Sequence, residues 1–153
     1  MFERFAREAR IAVEDARYEA ERRGDRRIGS DHLLLALLQD DELAQLVGVD
    51  AAAAHDAADQ LDRTALAAIG LTLEFQPTGR ATLGRRVPLM TAGGKAVIQQ
   101  ALAEAAAEKA RTITSRHLLL ALLDRHEPDP AATLLAALSI DPPALRARLA
   151  ATA

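Results

Sequence analysis

Two histidines in equivalent positions of a repeated motif, His32 and His117, are the side chains best suited to chemistry. Imidazole is a frequent zinc ligand, so a matched pair suggests a metal site. Neither histidine, however, has a second ligand three or four residues away on its own helix. The sequence therefore favours packed, structural histidines and predicts no metal. His55 and His126 occupy non-equivalent places and add no further pattern.

Other catalytic patterns are incomplete. The stretch Ala92-Gly93-Gly94-Lys95 has the residue types of a phosphate loop, but the four-residue spacer between the glycines and the Ser or Thr after the lysine are missing. No serine lies in a nucleophile elbow, and the chain has no cysteine. The carboxylate pairs Glu14-Asp15 and Asp40-Asp41 fall on polar faces. We therefore predict no enzyme activity and no cofactor, and a metal or nucleotide enzyme is the last of the alternatives.

The composition indicates an all-α chain of single-domain length. Half of the 153 residues are apolar, and alanine and leucine, both strong helix formers, supply most of them. A net charge of −3 argues against a general nucleic-acid binder. No apolar run reaches the length of a membrane span, and residues 1–10 do not resemble a signal peptide. We therefore expect no membrane partner and a cytoplasmic location.

The chain contains an internal duplication at a constant offset of 85 residues. Residues 28–42 read IGSDHLLLALLQDDE and residues 113–127 read ITSRHLLLALLDRHE, with ten of fifteen positions identical. The offset continues upstream, where it matches Phe5 with Met90 and Arg10 with Lys95. About six extra residues of the second copy fall between residues 127 and 140. The fold must therefore be argued for a duplicated unit.

Helical periodicity and capping residues predict eight helices, four in each copy. Gly24 and Gly70 end the first and fourth helices, and Ser30 and Ser115 are the expected N-caps of the leucine-rich second and sixth. Because those leucine-rich helices are apolar all round, we expect them to be buried in one core with approximate two-fold symmetry. The predicted spans are 2–23, 31–39, 41–47, 51–69, 91–110, 116–123, 129–138 and 142–153.

A connector joins the two copies, so that repeat one covers residues 1–70, the connector 71–89 and repeat two 90–153 of a single domain. The connector contains Arg80, Arg85 and Arg86 together with two prolines. A solvated linker is the favoured interpretation, and anion binding is the alternative.

The motifs resemble the amino-terminal domains of the Clp/Hsp100 unfoldases, and most of all the ClpC branch of actinobacteria. The resemblance rests on the opening Met1-Phe2-Glu3-Arg4-Phe5, on Ala9-Arg10 and on residues 28–34, and it covers nearly the whole chain. It implies two tandem four-helix repeats without catalytic activity. It also implies a domain that receives substrates and adaptors for an ATP-driven unfoldase ring.

The resemblance also implies a binding site for phosphoarginine, a degradation mark, in each copy. The acidic residue that would pair the guanidinium is Asp31 in copy one, after Ser30. Copy two has Arg116 at this position, after Ser115. Because arginine repels a guanidinium, we expect the second site to be lost or altered. Arg116 is then either a surface residue or a binder of phosphate or carboxylate.

A second implied site is the hydrophobic surface on which cyclic-peptide antibiotics bind ClpC. This sequence has methionine where the family has phenylalanine at position 90, and glutamine where it has glutamate at position 99. Because methionine adapts to irregular gaps, we expect an apolar groove with altered affinity. The residues carried over are Phe2, Arg10, Val13, Met90, Lys95, Ile98, Gln99 and Leu102.

We therefore expect a non-catalytic domain that binds protein substrates, adaptors or ClpC-directed cyclic peptides. The divergence of copy two, and a chain ending at Ala153 without an ATPase module, favour a stand-alone paralogue over a fragment of an unfoldase. Such a paralogue would act as a decoy, an adaptor or a competitor. The alternative function is a structural helical module that self-associates.

Overall fold

The computed structural model describes residues 3–71 and 89–152. Eight helices account for most of them, and the all-α prediction is confirmed. In chain order the elements are α1 (Arg7–Arg22), β1 (Arg27–Ile28), α2 (Ser30–Leu37), α3 (Asp41–Val47), α4 (Ala51–Ala68), β2 (Leu89–Met90), α5 (Ala92–Ala107), α6 (Ser115–Leu123), α7 (Pro130–Ala137) and α8 (Pro142–Ala151).

The leucine-rich helices α2 and α6 form the centre of the molecule. Residues 32–38 and 117–123 are buried at every position, as expected for helices that are apolar on all faces. The helices α2 and α6 contact each other, and both α1 and α5 pack on the pair. The two copies therefore share one continuous core.

The copies are tied together by exchanged backbone pairing. The strand β1 of copy one pairs in parallel with β2 of copy two, and Phe5 forms a parallel bridge with Ile113. The amide of Thr91 donates to the carbonyl of Ile28 at 2.9 Å, and the amide of Ala6 donates to the carbonyl of Ile113 at 2.8 Å. These two bonds are equivalent under the 85-residue offset, so the approximate two-fold symmetry extends to individual hydrogen bonds.

That pairing corrects the predicted start of the first helix. The sequence predicts a helix from residue 2, but α1 begins at Arg7 because the preceding residues are held by Ile113, whose amide donates to the carbonyl of Arg4 at 2.8 Å. The fifth helix is also shorter than predicted, ending at Ala107 rather than near residue 110. Lys109 follows with a left-handed φ of 56°, which no α-helix continues through.

The caps of α2 and α6 differ from the prediction as well. The N-caps are Gly29 and Thr114, and Ser30 and Ser115 are the first helical residues. In each helix the imidazole three residues after the N-cap, His32 or His117, accepts a hydrogen bond from the N-cap amide, at 2.8 and 2.9 Å. The ring thus pairs one of the amides that the start of a helix leaves without an intrahelical partner.

Candidate functional site

The expected phosphoarginine residue Asp31 lines an open cleft between the two copies. The cleft has a volume of about 750 Å³. Copy one contributes the segment that leads into α2, and copy two contributes the start of α5 and the loop before α7. The lining residues are Asp25, Arg26, Arg27, Gly29, Asp31, His32, Thr91, Ala92, Gly93, Arg125, His126, Pro128, Asp129 and Pro130.

Asp31 is accessible and available to a cation. Its side chain is 23% exposed, and its nearest basic atom among residues 3–71 and 89–152 is Nδ1 of His32, at 3.6 Å. That nitrogen already accepts from the Gly29 amide, so it carries no proton to share. No lysine or arginine of the described chain pairs with the Asp31 carboxylate, which leaves it able to accept from a guanidinium.

Positive groups lie on other walls of the same cleft. Arg26 and Arg27 are exposed beside Asp31, and Arg125 reaches the cleft from copy two, where its Nε donates to Asp129 at 3.0 Å. The first turn of α5 is also a wall, and its free amide groups carry the positive end of the helix dipole. The cleft can thus offer a carboxylate to a cation and several donors to an anion.

The glycines of the incomplete phosphate loop have a packing role at this wall. Thr91 caps α5 by accepting from the Gly94 amide at 3.0 Å. A β-carbon at Gly94 would stand 2.7 Å from the Ile28 carbonyl oxygen, and one at Gly93 would stand 2.8 Å from a carboxylate oxygen of Asp129. Glycine at position 94 is therefore required for the close approach of the two copies, whereas the contact of Gly93 lies within copy two.

Ser30 supports the cleft from within. It is buried, and its hydroxyl donates to Asp129 at 2.6 Å and accepts from the Ala131 amide at 3.2 Å. The bonds join the start of α2 to the start of α7. Ser30 thus positions the neighbouring Asp31, while its own hydroxyl is fully used inside the protein.

The equivalent place in copy two is chemically reversed. Arg116 replaces Asp31, and Glu108 stands where copy one has Arg23. The Arg116 guanidinium binds the Glu108 carboxylate, which also accepts from His117 at 3.0 Å. The guanidinium of Arg116 holds the pKa of Glu108 below its usual range, and His117 adds to this effect. In copy two, therefore, the acidic side chain of Glu108 is already paired with an arginine of the protein itself, Arg116.

The two motif histidines have the packed role that the sequence favours. Both rings are buried, and each joins an N-cap amide to a carboxylate, Asp25 for His32 at 2.8 Å and Glu108 for His117. In the described part of the chain, no three His, Cys, Asp or Glu side chains come together as metal ligands.

The expected peptide surface is only partly formed by exposed side chains. Arg10 on α1 and Lys95 and Gln99 on α5 are exposed, and Leu102 is 37% exposed. Val13 and Met90 are half-buried and pack against the core, and Ile98 lies inside it. Phe2 lies outside the described residues, as do the three arginines of the connector.

Sequence reasoning from the residues alone missed Arg26, Arg27 and Arg125 as parts of one site. Arg125 lies at the end of the aligned motif of copy two, ahead of the extra residues, in the six-residue connection between α6 and α7. Its place on the same cleft as Asp31 was not visible in the sequence, because only the pairing of the copies brings this connection to the cleft.

No helix in the described ranges has both the length and the apolar character needed to cross a bilayer. No curated protein sequence matches this chain. Several solved structures share its fold. The N-terminal domain of the chaperone ClpD from Arabidopsis thaliana superimposes with a TM-score of 0.73 at 22% identity, covering 99% of this chain and 96% of that chain.

Two further structures are similar at lower identity. A structure from a malarial protein secretion system superimposes with a TM-score of 0.69 at 18% identity, covering 97% of this chain and 94% of that chain. The Hsp104 N-terminal domain from Candida albicans gives 0.65 at 16% identity, over 96% and 89%. At these identities the likeness shows the fold alone.

A family model matches the sequence itself, over residues 4–80 and 89–153. Its two segments correspond to the two copies of the duplication. In that family the domain is non-catalytic and generally binds substrates and adaptors of Hsp100 chaperones. The chain belongs to the Clp repeat N-terminal domain family.

Proposed function

We propose that this chain is a receptor domain of the Clp unfoldase–protease system whose ligand is phosphoarginine on a protein or peptide. The observation that carries the proposal is the unpaired carboxylate of Asp31 in a cleft that also holds Arg26, Arg27 and Arg125. A phosphoarginine presents a cationic guanidinium joined to an anionic phosphate. A cleft that combines an acceptor with nearby cationic donors is complementary to both parts.

The proposal assigns one site to each chain. In copy two the Arg116 guanidinium is already paired with the Glu108 carboxylate, so the guanidinium of a ligand would meet a like charge. Ser30 contributes by positioning and not by contact, because its hydroxyl is engaged with Asp129. Ser115 is also buried, at the start of α6.

Calorimetric titration with phosphoarginine tests the site. We predict that Asp31→Asn weakens binding at least tenfold, because the amide has the same shape without the charge that pairs a guanidinium. The matched control is Asp41→Asn, which removes an exposed acid from the first turn of α3, away from the cleft. Each variant should lose only about 0.3–1 kcal/mol of stability, the value of a charge at a helix start. Equal affinity of wild type and Asp31→Asn would overturn the assignment.

We further propose that the face of α1 and α5 receives a second class of ligand, the ClpC-directed cyclic peptides. Arg10, Lys95, Gln99 and Leu102 are exposed there, and Lys95, Gln99 and Leu102 share one face of α5 by their spacing. A chain with both surfaces would act as a decoy or regulator of ClpC-like unfoldases. A pull-down with and without the unfoldase tests that role, and recovery of this chain alone would favour a self-associating module instead.

A further inference from the structure

A second depression adjoins the cleft, between α4 and α7, with a volume of about 410 Å³. Its walls are largely small and apolar. From α4 it is lined by Ala58, Leu61, Ala65 and Ala68, whose spacing of three or four residues places them on one helix face. From α7 it is lined by Pro130, Thr133 and Leu134. We call this depression the α4–α7 groove.

The groove exposes apolar surface in a concave place. Ala65 and Ala68 are exposed, and Leu61 is half-buried although it packs against the core. Because alanines stand where two packed helices would ordinarily present larger side chains, α4 and α7 do not fill the space between them. An apolar side chain of a ligand would remove this surface from water, which is favourable.

One edge of the groove carries an excess of negative charge. The Arg23 side chain, 8% exposed, is surrounded by Asp25, Asp59 and Asp62, and it pairs with Asp62 and with Asp59 at 3.3 Å. Its buried Nε has no hydrogen-bond acceptor within the described ranges. One guanidinium thus faces these three carboxylates, with that of Asp31 on the same groove.

The titration of Asp62 reflects this imbalance. Burial raises the pKa of the Asp62 carboxyl, and the charges of Asp25, Asp31 and Asp59 raise it further, while Arg23 opposes the rise. A cationic ligand would relieve the repulsion, and an acidic ligand would increase it.

The groove and the cleft adjoin each other, because Asp31 and Pro130 line both. We propose that the α4–α7 groove is a specificity subsite, which holds an apolar side chain adjacent in sequence to the phosphoarginine bound at Asp31. The inference deepens the proposed function and rests on it. The occupant is a peptide segment with a leucine-like residue beside the modified arginine and without acidic neighbours.

Two peptides of equal length test the subsite, one with phosphoarginine flanked on both sides by leucine and one flanked by glycine. We expect the leucine peptide to bind the wild-type chain roughly five- to tenfold more tightly, the gain from partly burying one aliphatic side chain. A third peptide with glutamate flanks should bind more weakly than the glycine peptide.

Ala65→Phe places a ring in the groove and should remove the advantage of leucine while leaving the glycine peptide unchanged. The matched control is Ala67→Phe, an exposed position of α4 that does not line the groove. Far-ultraviolet circular dichroism checks that both variants fold, and the peptide comparison on the wild-type chain stands without them.

Each outcome is distinct. Equal binding of the leucine and glycine peptides to the wild-type chain would overturn the subsite and leave the Asp31 site intact. An advantage of leucine that survives Ala65→Phe would place the apolar residue elsewhere and overturn the subsite too. If no phosphoarginine peptide binds, the proposed function and the subsite fail together.

Discussion

Buried Glu19 and half-buried His55 form a pair that the sequence did not single out. Glu19 is 4% exposed on α1, and its carboxylate accepts from the His55 ring on α4 at 2.8 Å and from Gln39 at 2.6 Å. The hydrogen bond that the His55 ring donates to Glu19 raises the pKa of His55, although burial and Arg22 oppose the rise. Burial alone would raise the pKa of Glu19, but His55, Arg22 and Gln39 together lower it.

These opposite shifts make the stability of the chain depend on pH. A raised histidine pKa stabilises the fold below the unfolded value of about 6.5, and the contribution disappears as pH rises through the folded value. The lowered Glu19 pKa contributes above about 4.5 and is lost in acid. The pair therefore stabilises the fold most between these two values.

Replacement of His55 tests this pair. Copy two has Arg146 at the corresponding place, 3.7 Å from Glu104, so the natural comparison is His55→Arg. We predict that the free energy of unfolding falls between pH 6 and pH 9 in the wild type and falls less in His55→Arg, since arginine stays charged. His55→Ala should cost about 1.5–3 kcal/mol at pH 6. A pH profile identical in all three proteins would contradict the assignment.

At the scale of the elements, the start of α2 is fixed to α7 by one hydroxyl. Ser30 makes two hydrogen bonds to the start of α7, and one of them goes to the carboxylate of Asp129. Ser115 is its equivalent in copy two, is also buried, and has no such bond within the described chain. The two serines are thus a matched pair for measuring how much the hydrogen bonds of Ser30 contribute to the stability of the fold.

Chemical denaturation of Ser30→Ala and Ser115→Ala should separate their roles. We expect a loss of about 1.5–3 kcal/mol for Ser30→Ala, because a hydrogen bond to a charged group is lost, and less than about 1 kcal/mol for Ser115→Ala. The affinity for phosphoarginine should fall only in Ser30→Ala, since the hydrogen bonds of Ser30 position the adjacent Asp31. Equal destabilisation by both substitutions would show that the bond to Asp129 contributes little.

The face of α1 and α5 gives another prediction. Met90 is half-buried beside α5, where the ClpC pattern has phenylalanine. We expect Met90→Phe to tighten binding of a ClpC-directed cyclic peptide by about 0.5–1.5 kcal/mol and Phe2→Ala to weaken it. Titration of the labelled peptide measures both, and Ile69→Ala, an exposed apolar position elsewhere, is the control. If neither Met90→Phe nor Phe2→Ala changes the dissociation constant, the peptide uses another surface.

Much of the element structure was predictable because its causes are local. Asp50 and Thr91 accept from amides at the starts of α4 and α5, and Gly24 and Gly70 have the left-handed φ of helix ends. The start of α1 was not predictable in this way, because it depends on Ile113 of the other copy. The caps at Gly29 and Thr114 are local, but a histidine ring three residues on makes the hydrogen bond there, and not the serine that the sequence indicated.

At the scale of the whole molecule, duplication explains the fold and divergence explains the site. The equivalent bonds from Ala6 to Ile113 and from Thr91 to Ile28 show that the two copies assemble by the same pairing. Around this shared frame, the charges at positions 31 and 116 have opposite sign. The resemblance to the Clp domains made Asp31 a candidate, but the cationic walls of its cleft come from the assembly of both copies.

The asymmetry between the copies is the central claim, and the stoichiometry of phosphoarginine binding tests it most directly. We predict that calorimetric titration of the wild-type chain gives one site per chain, and that Arg116→Ala leaves the affinity of this site unchanged. Two equivalent sites per wild-type chain would contradict this claim, because the pair of Arg116 and Glu108 would then not prevent phosphoarginine from binding in copy two.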